Sequence, residues 1–130
     1  MKDDYGFMVK ETNDNGFIIN GYTTSYSGQN DNNDGFLLRT DENGILEWLK
    51  IYGTDNSEVT GFGYQDHMNC YIFSGEVTDI NTQQKTIYLV KTDGSGFSGG
   101  AEKTIETATG KLNLMITPIK DLGFFNPTVE

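Results

Sequence analysis

GFLLRTDENGILEWLKIYG (35–53) decides the fold. A hydrophobic stretch ends at Thr40-Asp41, a Glu42-Asn43-Gly44 turn follows, and a second stretch runs to an aromatic and a glycine. Fifty-two residues on, TIYLVKTDGSG (86–96) repeats the first half, with Leu89 for Leu37, Lys91 for Arg39 and Thr92-Asp93 for Thr40-Asp41. Upstream, NDNGFIINGYTTS (13–25) lies over HMNCYIFSGEVTD (67–79) at an offset of 54, matching Phe17-Ile18 to Tyr71-Ile72 and Gly21 to Gly75. The difference between the two offsets falls in the intervening loop, where length changes little.

A fainter third copy sets LNLMITPIKDLGFF (112–125) over YGFMVKETNDNGFI (5–18), through Met115, Asp121, Gly123 and Phe124. The chain therefore divides into units at 1–53 and 54–107, with 108–130 a partial third unit or a capping tail.

Each unit parses into four short strands. In the first these are 5–12, 17–24, 35–41 and 45–53, separated by a turn where Gly16 is expected at positive φ, a polar loop over 25–34, and the Glu42-Asn43-Gly44 turn. Gly21 marks a bulge or a close packing contact. A helix over 45–53 competes, but nine residues bounded by Gly44 and Gly53 and rich in branched and aromatic side chains favour a strand. Its alternation is imperfect, which predicts that both faces are covered. In the second unit the fourth strand is anchored only by Lys103 and Ile105. The expectation is an all-β chain of four-stranded antiparallel β-propeller-type blades, two full repeats and the start of a third.

Composition agrees with short strands and tight turns: 16 glycines, 7 tyrosines, 8 phenylalanines and only 2 prolines. Nineteen acidic residues against nine basic ones give a net charge of −10. Such a surface repels phosphate backbones, so neither nucleic acid nor an anionic membrane is an expected partner. No apolar run reaches the ~20 residues of a membrane span. The opening MKDDYGFMVK has no apolar core of a signal peptide. Cys70 has no second cysteine to pair with and is expected as a small buried hydrophobe.

NDNGFIINGYTTSY followed by NDGFLLRTDENGILEWLKIYG resembles the β-propeller-type repeats of bacterial and archaeal secreted or cell-surface proteins of unknown function. The first unit carries the pattern at Gly16, Phe17, Ile18, Ile19, Gly21, Tyr22, Thr23, Thr40, Asp41, Asn43, Gly44, Trp48, Tyr52 and Gly53. The second departs from it, with Cys70 for the turn glycine, Glu76-Val77 for Tyr-Thr, and Ala101 where the tryptophan belongs. The resemblance implies a propeller fold and an extracellular or cell-surface setting, and it brings no catalytic residues with it.

Candidate chemistry is sparse. His67 lies in an expected turn, no cysteine or histidine stands at zinc-ligand spacing, and no nucleophile elbow is present. GSGFSGG (94–100) lacks the lysine of a phosphate loop. Asp31, Asp34 and Asp41 offer hard oxygen donors for calcium, without the twelve-residue loop spacing, and turn chemistry is the competing reading. Tyr22, Tyr26, Trp48, Tyr52, Phe62 and Tyr64 are candidate sugar-stacking rings, against packing between blades. No other cofactor is expected.

The functional expectation is a non-catalytic module for binding or for a surface or structural role. Its partners would be copies of itself or neighbouring blades, because two units leave blade faces open. A carbohydrate-binding, lectin-like oligomer is the alternative, and a glycan-active hydrolase fragment a further one. Three architectures stay open: a ring built from several copies, a piece of a longer propeller, and a small β-domain without a ring.

Overall fold

The structure is a computed structural model that describes residues 2–26 and 32–100, together with the backbone of strand 102–105. The described strands form two antiparallel sheets, of five and three strands, and there is no helix among the described residues. The first sheet holds β1 (Asp4–Glu11), β2 (Phe17–Thr23), β3 (Asp34–Thr40) and β4 (Leu46–Tyr52) in sequence order. The second holds β5 (Ser57–Gln65), β6 (Tyr71–Thr78) and β7 (Lys85–Lys91). A four-residue β8 (Glu102–Ile105) joins the first sheet on the far side of β4. The partial third unit lies outside the described residues.

The repeat is written into the turns. Asp41 N–H donates to Ile45 O (2.9 Å) and Gly44 N–H to Asp41 O (3.1 Å). After β7 the same pair recurs, Asp93 to Phe97 (2.9 Å) and Gly96 to Asp93 (3.1 Å). Between β1 and β2 the bonds are Thr12 to Gly16 (2.8 Å) and Asn15 to Thr12 (3.0 Å), matched between β5 and β6 by Asp66 to Cys70 (2.8 Å) and Asn69 to Asp66 (3.1 Å). The left-handed residue is Gly44 (φ 80°), Gly96 (79°), Asn15 (65°) or Asn69 (62°). Asparagine tolerates this region because its side chain bonds locally. Asn15, and not Gly16 as expected, therefore carries the positive φ of the first turn. Cys70 also departs from expectation: it is half-exposed in its turn, its N–H donating to Asp66 Oδ1 (2.9 Å).

The sheets pack face to face. Ile18, Leu37 and Tyr52 meet Tyr71 and Phe73, with Trp48, Tyr88 and Val90 alongside. Tyr52 and Phe73 interlock edge to face at 4.8 Å, as do Trp48 and Tyr71 at 5.4 Å. Burying each such side chain contributes about 1.5–3 kcal/mol. The opposite face of the first sheet is also apolar, with Phe36, Leu38, Leu49 and Ile51 buried beside Ile19, Tyr26 and Leu46. β4 thus has two buried faces, which accounts for its imperfect alternation.

The second unit does not build its expected fourth strand next to β7. Where the first unit continues from its turn into Leu46-Glu47-Trp48, the second has Ser98-Gly99-Gly100. Gly99 and Gly100 sit at φ +99° and +112°. Glycines offer no side chain for the core, and that backbone is incompatible with a strand. The chain leaves β7 and pairs at β8 with β4, Ile105 opposite Leu49 and Glu102 opposite Tyr52.

Gly21 is a close approach: a Cβ there would lie 1.7 Å from the Tyr5 carbonyl oxygen, next to the β1 bulge between Gly6 and Met8. At Gly6 the nearest atom would be an Ile19 methyl at 3.8 Å. Gly21→Ala should lower the unfolding free energy by at least about 2 kcal/mol, and Gly6→Ala by less than about 1 kcal/mol, in urea titration.

Candidate functional site

In β6, Ile72, Ser74 and Glu76 alternate with the core residues Tyr71 and Phe73 and face away from the first sheet. Their neighbours on β7 are Lys91, Leu89 and Ile87, and Tyr64 of β5 lies beside Ile72. This outer face is open: Phe62 is 82% exposed, Ile87 87% and Leu89 73%. Met8 and Lys10 of β1 wall one side, enclosing a cavity of about 270 Å³ with Phe62, Tyr64, Ile72 and Leu89. The Lys10 ammonium lies 5.9 Å from the Tyr64 ring centre.

The same positions in the first unit have the opposite fate. Ile18, Asn20 and Leu37 correspond to Ile72, Ser74 and Leu89 in the sequence repeat. They are 1%, 0% and 2% exposed because the second sheet covers them. Polar bonds finish that junction, from Asn20 Nδ2 to Gly61 O and from Thr60 Oγ1 to Gly21 O.

A polar cluster closes one end of the core. Arg39, largely buried, donates to Asp14 and to Glu47. Asp14 also accepts from Thr12 Oγ1 (2.6 Å). The hydrogen bond from Arg39, then that from Thr12, lowers the Asp14 carboxyl to about 2. Burial opposes the Arg39 charge, and bonding to Asp14 with the help of Tyr71 outweighs it, so its pKa is raised. Burial raises the Tyr71 hydroxyl. In the second unit Lys91, at the Arg39 position, has its Nζ 3.2 Å from Asp66, which takes the place of Thr12 in its turn. At Asp66 burial pushes the carboxyl up, but bonds from Cys70, Lys91 and Met68 bring it below the ordinary value. Both clusters brace turns against strands, and neither presents a nucleophile.

The sequence-predicted rings are dispersed. Tyr22 stacks on Tyr5 (4.8 Å) at the β1–β2 edge, and Tyr26 packs on the far face of the first sheet. Trp48 and Tyr52 lie in the inter-sheet core, the Tyr52 hydroxyl donating to Gly96 O (2.7 Å). Phe62 and Tyr64 line the open face. Asp34 is buried beside Gly53 at the start of β3, while Asp41 lies just beyond its end, accepting from Asn43 (2.9 Å) and Ile45 (2.8 Å). Seven strand residues, roughly 20 Å, separate the two, too far for one cation. Asp31 lies outside the described residues. Among the described residues no three acidic, histidine or cysteine side chains form a metal cluster.

Sequence reasoning passed over Met8, Lys10, Ile72, Ile87 and Leu89. The signal was present in TIYLVK, whose apolar residues occupy both faces of a strand, as in a strand covered on both sides. No protein-family model matches the chain, and the search of curated proteins returns no relative.

Asp14 titrates below its ordinary 3.8, so its contribution to stability is complete above about pH 4 and is lost as pH falls toward 2. Thermal melts should therefore fall more steeply between pH 4 and 2 in the wild type than in Asp14→Asn. Tyr52→Phe should cost about 1 kcal/mol in urea titration at neutral pH, the worth of one hydrogen bond.

Proposed function

We propose that the chain is a non-catalytic module of β-propeller-type repeats, and that it binds through the outer face of its second sheet, where copies of the chain meet. The observation that carries this reading is the contrast between equivalent positions: Leu37 is covered by a neighbouring sheet, while Leu89 stands in solvent, with the exposed Phe62 on the same face. A contiguous apolar patch of this kind is the usual mark of an interaction surface. The cavity against β1, about 270 Å³, is at the small end for a compact ligand. A flat apolar partner suits the face better.

Carbohydrate binding is the second reading, favoured by Tyr64, Phe62, Ser74 and Lys10 around that cavity. It would show as saturable, sugar-dependent thermal stabilisation that Tyr64→Ala removes.

Absolute mass by light scattering across a concentration series tests the first reading. The wild type should pass from monomer to oligomer, and Phe62→Lys should move that transition at least about tenfold higher in concentration, equivalent to 1.4 kcal/mol. A wild type that stays monomeric throughout would contradict self-association.

A further inference from the structure

The two sheets end on strands with opposite charge. β1 closes the first sheet and β7 the second, and no described strand pairs with the outer edge of either. β7 is left at the edge because Gly99 and Gly100 divert the chain before a fourth strand forms. It runs from Lys85 to Lys91 with no acidic residue between them, in a chain of net charge −10. β1 runs from Asp4 to Glu11, acidic at both ends, with Lys10 beside Glu11 as its one cation. Both are well exposed: Ile87 and Leu89 on β7 (87% and 73%), Phe7 and Val9 on β1 (56% and 61%).

An open edge offers unpaired N–H and C=O groups, and end charges decide which strand can use them. Two β7 strands paired antiparallel about Tyr88 would oppose Lys85 and Lys91. Two β1 strands would oppose Asp4 and Glu11. Like charges placed directly opposite are destabilising, so both homotypic pairings are disfavoured. β1 against β7 reverses the sign at both ends.

The lengths also agree. The bulge between Gly6 and Met8 leaves Phe7 out of the β1 ladder, so the eight residues of β1 count as seven, the length of β7. With Glu11 opposite Lys85, Val9 falls opposite Ile87 and Asp4 opposite Lys91. Lys85 and Lys91, both with exposed side chains, keep their bonds to Glu76 and Asp66, and Asp4 keeps Thr23 and Ser25. Lysine and carboxylate both have capacity for a further partner.

We propose that copies of this chain join edge to edge, β7 of one copy taking β1 of the next as an added antiparallel strand. The contact is heterologous, so it propagates head to tail into a ring or a filament. It uses backbone edges, and is independent of the apolar face proposed above.

Charge reversal tests it at exposed positions, with circular dichroism confirming that each variant folds. Glu11→Lys and Lys85→Glu should each weaken association at least tenfold by light scattering. The double variant Glu11→Lys/Lys85→Glu should recover it, as should an equimolar mixture of the two single variants. The series is repeated with Phe62→Lys, which removes the face contact and should leave the edge contact and its charge-reversal pattern in place. Association that is absent in the wild type, abolished by Phe62→Lys alone, or no stronger in the double variant than in the singles would overturn the proposal.

Discussion

Everything else in the molecule rests on the contact of Tyr52 and Leu37 with Phe73 and Tyr71 across the two sheets. Each sheet is apolar on the face it turns to its partner, and the first is apolar on its other face too. A strand with two buried faces needs a layer on each side, so one unit of this repeat cannot be satisfied alone. The sheets come this close at Gly35 of β3, where a Cβ would lie 2.5 Å from Thr60 Cγ2 and 2.9 Å from the Tyr88 hydroxyl of the second sheet. Phe73 and Tyr88 then lock edge to face behind them.

That constraint gives the molecule a direction. The first unit hands its Ile18 and Leu37 face to the second, and the second presents the corresponding Ile72 and Leu89 face to solvent. Repeating the packing operation requires another layer at that surface. The two outer strands differ in charge as well: Asp4 and Glu11 bound the first strand of the first sheet, Lys85 and Lys91 the last strand of the second. Net acidity elsewhere sets like charges against each other when copies approach at other surfaces.

Much of the fold was legible because the turn residues recur at fixed offsets. Asp41 and Asp93 each accept two backbone N–H groups, at +2 and +4, and strand boundaries follow from those turns to within about two residues. The partner of β8 was not legible. Lys103 and Ile105 matched the repeat well enough to suggest a fourth strand on β7, but local matching carries no information about which edge receives a strand. Gly99-Gly100, legible as part of the glycine-rich turn at 94–100, is what diverts the chain from β7. The candidate site was less legible still. Aromatic side chains look alike in sequence whether they fill a core, as Tyr52 does, or line an open face, as Tyr64 does, and only the sidedness of β5–β7 separates them. Asp34 and Asp41, offered as oxygen donors for calcium, stand at opposite ends of β3, and Asp41 is engaged in its turn, the competing reading.

The central claim is that the second sheet is a surface built for a partner layer. Amide hydrogen exchange, compared between dilute and concentrated protein, reads that surface directly. The account predicts that exchange slows on concentration in β5, β6 and β7, while Tyr52 and its neighbours in the inter-sheet core, already protected, do not change. Identical exchange at both concentrations across residues 57–91 would contradict it.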